Sequence, residues 1–249
     1  MKKYLLILSV LLASGTVSGA RSLTPEALGS VHYEVRYKLG AITTKVGTAT
    51  ISLEKGEWED RPVYYTKASI KASSVFRLFL KADSFAECWL DRNSLAPLHY
   101  ANPITKKGFK GSLEYDYDAD SRTIESTIIK SAQDTVRATF PLDGRTLDLL
   151  ALVHGVRVRD FSPSDPPVQL HVLLAGQSVA ATLSYVGLDR ETVPDRETDH
   201  ILLKLIDRGL MENGSGNEIH LWRSRESDCR ILRLEAALSS GSMIVTIQE

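Results

Sequence analysis

The sequence predicts an all-β, mainly antiparallel protein in which a curved sheet or barrel-like meander surrounds one central helix. Three observations predict this fold. Apolar and polar residues alternate along many short segments, turn residues separate these segments, and one stretch has the spacing of an amphipathic helix. The chain has 249 residues and a formal net charge of −1. This length fits one β domain, and the near-neutral charge gives no reason to expect nucleic acid as a partner.

The N-terminal segment predicts export. Two lysines precede an apolar run over 4–13, and Ser18 and Ala20 occupy the small-residue positions of a cleavage site. We therefore expect a signal peptide over 1–20, a single barrel-like β domain over 21–249, and a periplasmic or secreted protein. The apolar run is shorter than the roughly 20 residues of a spanning helix, and no later run approaches that length. No transmembrane segment is therefore expected after cleavage.

Alternation with a period of two residues locates the strands. It is strictest in four segments, at 31–38, 48–53, 67–72 and 232–238. This pattern is typical of antiparallel strands with one buried face. Less regular strands are predicted at 84–91, 96–101, 108–117, 122–130, 134–140, 168–174, 179–188, 199–207, 217–224 and 242–248. Turn residues predict chain reversals at 54–57, 118–121, 213–216 and 239–241.

Two segments depart from the strand pattern. The i, i+3, i+4, i+7 spacing of one amphipathic helix is carried by Leu147, Leu150, Ala151 and His154. Asp143 is the expected N-cap of this helix and Gly155 its expected end. The apolar segment 73–80 alternates poorly, and we expect it to be a helical turn or a loop that plugs the sheet.

The chain has two cysteines, Cys88 and Cys229, and we expect both to lie in strands. In an oxidising compartment they could form a disulfide; the alternative is two separate buried thiols. A disulfide requires Cα atoms within about 7 Å, which the sequence does not fix, so both alternatives stay open.

No sequence motif identifies a catalytic centre or a metal site. The histidines lack metal-ligand spacing, and the acidic run over 114–120 lacks the Gly and Glu that a calcium loop requires. Neither a nucleophile elbow nor a phosphate-binding glycine loop is present in the sequence. We therefore predict no catalytic residue, no metal ligand and no cofactor.

The apolar and aromatic residues favour a binding cavity as the functional site. Aromatic side chains could line a space between the curved sheet and its covering elements; core packing is the alternative explanation. His154 lies on the apolar face of the predicted helix, in the core or at a cavity rim. The candidate binding residues are Phe76, Leu78, Phe79, Trp89, His154 and Trp222.

The order of several short patterns resembles a known family. These patterns are 38–41 leading into 46–50, 76–79 followed by 83–87, the helix around Asp148, and the closing segment 219–248. Together they resemble the bacterial domain of unknown function 3108 family over nearly the whole mature chain. The resemblance implies an envelope protein with a mostly antiparallel, barrel-like β fold. It implies no established activity and supplies no catalytic residues.

Three hypotheses about function follow. The leading one is non-enzymatic binding of a lipid or another apolar envelope component, because export is predicted and no catalytic motif is found. The second is a structural or assembly partner of other envelope proteins, which would dock through a strand edge. The third is a hydrolase of envelope polymers, whose signature would be paired carboxylates in a cleft.

Overall fold

The computed structural model describes residues 23–73, 84–106, 109–131, 134–206, 217–238 and 240–248. The expected signal peptide lies outside these residues, as do the expected turn at 213–216 and nearly all of the segment 73–80. Most of the described chain is β-strand.

The first half of the chain consists of strands, which follow a short 3-10 helix at Pro25–Ala27. They are β1 (Gly29–Leu39), β2 (Ile42–Trp58), β3 (Arg61–Ala72), β4 (Ser84–Asp91), β5 (Pro97–Lys106), β6 (Phe109–Asp118), β7 (Thr123–Ser131) and β8 (Asp134–Pro141). The second half contains β9 (Thr146–Leu147), helix α1 (Leu149–Val158), β10 (Val168–Leu174), β11 (Gln177–Asp189), β12 (Thr198–Leu205), β13 (Glu218–Ser224), β14 (Ile231–Leu238) and β15 (Gly241–Ile247).

All these strands belong to one sheet, ordered from β8 back to β1 and then from β15 back to β9. Neighbouring strands are antiparallel except β9 and β10, which are parallel. The pairing of β1 with β15 joins the two meanders into a nearly closed sheet whose edges are β8 and β9. The structure thus confirms the prediction of a mainly antiparallel, barrel-like sheet with a central helix.

The β9–β11 end of the sheet is tucked inside the half formed by β4 to β7. The Gly176 N–H, in the β10–β11 turn, donates to the hydroxyl of Tyr115 on β6 at 3.0 Å. A Cβ on Gly176 would overlap Cδ1 of Ile128 on β7, and the φ of Gly176 is +79°. Leu173 of β10 packs in the same buried cluster as Leu113 of β6. The sheet is therefore rolled, with one end inside the other.

Helix α1 lies within this roll and contributes to both halves of the core. Leu152 and Val156 pack in a cluster with residues of β10 to β14. Leu150 and Ala151 pack in a second cluster with residues of β4 to β7, among them Cys88. The helix is the element that the two halves share.

The helix begins and ends later than the sequence predicted. Its N-cap is Asp148, not Asp143, because the Asp148 carboxylate accepts hydrogen bonds from the first helical N–H groups. Asp143 instead accepts from the N–H of Arg145 in the turn before β9. Gly155 does not end the helix, which continues to Val158.

The turn predicted at 54–57 is also placed differently. These residues belong to β2, which pairs with β3 up to Trp58 opposite Arg61. The reversal falls on Glu59 and Asp60, both with positive φ. Two such residues are the signature of a tight type I′ hairpin turn, whose twist matches that of the strands.

Candidate functional site

The N-terminus of α1 is held by a buried carboxylate. Oδ1 of Asp148 accepts hydrogen bonds from the N–H groups of Leu150 at 2.8 Å and Ala151 at 3.0 Å. Its Oδ2 accepts from the hydroxyl of Tyr117 at 2.9 Å and from the thiol of Cys88 at 3.5 Å. Burial raises the pKa of the Asp148 carboxyl and of the Cys88 thiol. Through its hydrogen bond to Asp148, Cys88 supports the helix cap, and its raised pKa is the opposite of the lowered pKa that a nucleophilic cysteine has.

The middle of α1 is held by a buried histidine. Nδ1 of His154 accepts a hydrogen bond from Nη1 of Arg157 at 3.2 Å, so the ring proton lies on Nε2. Nε2 then donates to Oγ1 of Thr66 on β3 at 2.9 Å. Burial and, to a smaller extent, the charge of Arg157 together lower the pKa of His154 to about 3. His154 is therefore a neutral link between the helix and the sheet.

The C-terminus of α1 is held by Arg223 of β13, whose side chain is almost fully buried. Its Nη1 donates to the carbonyl oxygens of Val156 at 2.9 Å, Arg157 at 3.2 Å, and Arg159. Its Nη2 donates to Oδ2 of Asp199 on β12 at 2.6 Å. A cation at this position satisfies the last carbonyls of the helix and complements its dipole.

A cavity of about 520 Å³ opens beside α1; we call it the α1 cavity. Its apolar wall comes from the helix, β3, β10 and β11 and includes Tyr64, Ala151, Leu152, Val156, Leu170 and Leu183. Polar groups also line the cavity, namely Arg92, Asn93, Ser94, Arg145, Arg159 and Gln169. Gly155 lies in the wall, where an added Cβ would meet no heavy atom within 4 Å. The absence of a side chain at this helical position leaves the space open.

A second cavity of about 480 Å³ lies near the start of α1. It is lined mainly by Tyr100, Leu113, Tyr115, Ile128, Leu149 and Leu173. Neither cavity has an aspartate or glutamate among the described residues that line it. The described part of the chain also contains no cluster of three or more side chains that could hold a metal ion. Paired carboxylates, the expected signature of a polymer hydrolase, are therefore absent from the described walls of both cavities.

Three of the predicted binding residues lie in the described part of the chain, and none of them lines either cavity. Trp89 lies on the face of β4 away from α1, because its neighbours Cys88 and Leu90 face the helix. There its ring is 4.6 Å from that of Trp58 and 5.2 Å from that of His99.

Trp222 also lies on the outer face of the sheet. Its neighbour Leu221 packs with the helix, whereas Trp222 stacks on His200 with ring centroids 4.7 Å apart. Its indole N–H donates to the carboxylate of Asp189 at 3.1 Å. His154 faces the interior but lines neither cavity. Phe76, Leu78 and Phe79 lie outside the described residues.

The two cysteines are thiols in this structure and do not form the disulfide that the sequence left open. Cys88 donates to Asp148 under α1, as described above. Cys229 lies in the β13–β14 connection and not in a strand as expected, and its Sγ donates to the carbonyl oxygen of Glu226 at 3.3 Å. The structure therefore has separate buried thiols, the second of the two alternatives.

Sequence reasoning missed most of the residues that hold α1 and line the cavity. Asp148 had a usable signal, since an aspartate directly before an apolar helical segment is a strong N-cap. Arg223 and the cavity-lining arginines had none, because an arginine in a strand ordinarily faces solvent.

Comparison with known families identifies the chain. The family described as "Protein of unknown function (DUF3108)" matches residues 32–248. The chain belongs to this family. The match confirms the resemblance seen in the strand and turn patterns. No curated protein matches the sequence of this family member.

A solved structure has a similar fold. It is the beta-barrel-like protein of domain of unknown function DUF1849 from Brucella abortus, with a TM-score of 0.58 and 9% identity. The match covers 92% of this chain and 98% of that chain. At this identity the similarity concerns the fold alone. Within the described residues, no helix has both the length and the hydropathy needed to cross a membrane.

Proposed function

We propose that this DUF3108 family member is an exported envelope protein that binds a lipid or another apolar envelope component in the α1 cavity. The observation that carries the proposal is the cavity itself, which has a volume of about 520 Å³ and a largely apolar wall. Ligand pockets commonly have volumes of roughly 300–1,000 Å³, apolar walls and a few polar groups that orient the ligand. The α1 cavity has this size and composition.

The position of Gly155 supports the proposal. Glycine inside a helix costs about 1 kcal/mol relative to alanine, and no neighbouring atom excludes a larger residue here. A side chain at this position would extend into the cavity. A glycine that lowers helix stability while opening an apolar space is consistent with selection for an occupant.

Filling the cavity from Gly155 tests the proposal. We expect Gly155→Phe to abolish ligand binding, because the ring would occupy the apolar space, whereas Gly155→Ala should retain it. The measurement is native mass spectrometry of wild type and both variants purified from the cell envelope without detergent. Thermal unfolding of the same samples verifies that each variant is folded. Wild-type protein free of lipid, or equal lipid content in Gly155→Phe and wild type, would contradict the proposal.

Export is part of the proposal and rests on the leader-like segment 1–20. We expect the mature protein to begin at Arg21 and to be released with the periplasmic fraction. N-terminal sequencing of the fractionated protein checks this. A chain that retains Met1 and stays in the cytoplasm would refute export without affecting the test of the cavity.

A second candidate function is docking to another envelope protein through strand β8. In the described part of the chain this strand pairs only with β7, so its other edge is open to a further strand. A photo-crosslinker at Val136 on β8 should capture an envelope protein in cells if the edge is a docking site. The matched control is Ile70 on β3, an exposed position that pairs with Ala49 of β2 on one side and Ser84 of β4 on the other. Equal crosslinking at both positions would count against edge docking.

A further inference from the structure

All the charged residues that line the α1 cavity are cationic. Arg92, Arg145 and Arg159 contribute to its wall, and no aspartate or glutamate does so among the described residues. The whole chain has 31 acidic and 30 basic residues, so this bias does not reflect overall composition. The cavity thus combines an apolar wall with a local excess of positive charge.

These three guanidinium groups lack carboxylate partners within the described chain. Arg92 lies over the ring of Tyr64 at 5.9 Å, and Arg159 lies over the ring of Phe161 at 5.5 Å. The side chain of Arg145 is exposed. Other arginines do pair with carboxylates, as in Arg190–Glu197, Arg223–Asp199 and Arg230–Asp228. The cavity arginines therefore keep donors available for a ligand.

We infer that the ligand of the α1 cavity is a lipid with an anionic head group, a phosphate or a carboxylate, bound by Arg92, Arg145 and Arg159. The inference rests on the proposed function and adds the class of ligand. The acyl chain lies against Leu152, Val156 and Leu170, and the head group lies at the arginines. Guanidinium groups suit this role because they donate two parallel hydrogen bonds to phosphate or carboxylate oxygens.

Pairs of lipids that differ only in head-group charge test the inference. Palmitoyl lysophosphatidic acid is compared with monopalmitoylglycerol, and palmitate with hexadecanol, by isothermal titration calorimetry on delipidated protein. Each anionic lipid should bind at least about tenfold more tightly than its neutral counterpart, as expected for charge-assisted hydrogen bonds. The two pairs separate phosphate from carboxylate as the preferred head group, and either preference supports the inference.

Substitution of the arginines completes the test. The triple variant Arg92→Gln, Arg145→Gln, Arg159→Gln should lose the preference, so that its affinities for the anionic and the neutral lipid of each pair become similar. Thermal unfolding of the variant verifies that it is folded. The matched control replaces Arg61, Arg122 and Arg137, which are exposed and outside the cavity wall, with glutamine. It removes the same charge and should keep the preference.

The outcomes separate this inference from the proposed function. Equal affinity of wild type for anionic and neutral lipids would overturn the head-group assignment and leave lipid binding supported. Failure of all four lipids to bind would overturn both. A preference that survives in the cavity triple variant, or disappears in the control triple variant, would overturn the role of the three arginines. Binding of inorganic phosphate as tight as that of the phospholipid would show that a free anion, not a lipid, is recognised.

Discussion

His154 links the stability of the protein to pH through a single buried ring. Its folded pKa is about 3 and its ordinary value is 6.5, because burial disfavours the charged form. Between pH 3 and pH 6.5, His154 therefore binds a proton in the unfolded chain but not in the folded chain. The contribution of the neutral His154 ring to the stability of the fold is complete above pH 6.5 and is lost as the pH falls toward 3.

We expect the free energy of unfolding of wild type to fall with decreasing pH below 6.5. The contribution of His154 to this slope should approach about 1.4 kcal/mol per pH unit. Urea unfolding between pH 7 and pH 5 measures it, and His154→Gln provides the comparison because glutamine does not titrate. The variant is expected to be less stable at pH 7 but to have the shallower slope. Parallel curves for wild type and variant would contradict the assignment.

Helix α1 is an element whose position depends on polar contacts at its two ends. Asp148 holds the first N–H groups, and Arg223 holds the last carbonyl oxygens and pairs with Asp199. Both side chains are buried, so removing either one leaves partners without hydrogen bonds in a dry environment. The ten-residue helix has no independent stability at this length, and tertiary contacts must supply it.

Arg223→Met should lower the free energy of unfolding by about 3–5 kcal/mol, because the buried charge of Asp199 and the helix carbonyls lose their partner. The control is Arg190→Met, which removes an exposed arginine paired with Glu197 at 2.7 Å. A surface pair of this kind contributes about 1 kcal/mol or less. Chemical denaturation of both variants measures the difference. Similar losses of stability in the two variants would show that Arg223 does not hold the C-terminus of α1.

At the scale of the whole molecule, the contact between the β10–β11 turn and strand β7 defines how the sheet is rolled. Gly176 brings the turn within van der Waals reach of Ile128, and its N–H bonds to Tyr115. This contact brings the β9–β11 end inside the β4–β7 half and keeps α1 between them. The cavities beside the helix exist because the two ends of the sheet overlap and leave space around α1.

Gly176→Ala should be more destabilising than Gly144→Ala. Both glycines have a φ near +80°, so an alanine costs about 1–2 kcal/mol of backbone strain at either position. Only at Gly176 would the added Cβ also overlap a neighbour, the Cδ1 of Ile128. The additional loss of stability in Gly176→Ala relative to Gly144→Ala, measured by thermal unfolding, reports the contact between the two ends of the sheet. The double variant Ile128→Ala, Gly176→Ala should lose less stability than the sum of the losses in the two single variants. A loss equal to that sum would argue against the contact.

Much of the fold could be predicted because alternation is a local property. The strands at 84–91 and 168–174 were predicted with the bounds that β4 and β10 have. The placement of Trp89 and Trp222 could not be predicted in the same way. The strands that carry these two tryptophans, β4 and β13, have apolar residues on both faces, so the pattern does not show which face packs on the helix. The N-cap at Asp148 was missed because Leu147 fits the helical spacing, which placed the expected start of the helix at the earlier aspartate, Asp143.

The sequence by itself determined the antiparallel strands, most of their turns, the central helix and the family, because each depends on residues that are close together in the chain. It also carries the leader-like segment from which export is proposed. The tertiary structure alone decided the inward roll of the sheet, the clasp of Arg223 on α1 and the cavity lined by Gly155 and three arginines. The residues that meet in the cavity are as far apart in the chain as Leu23 and Leu183, and their contacts are set by the packing of the two halves around the helix.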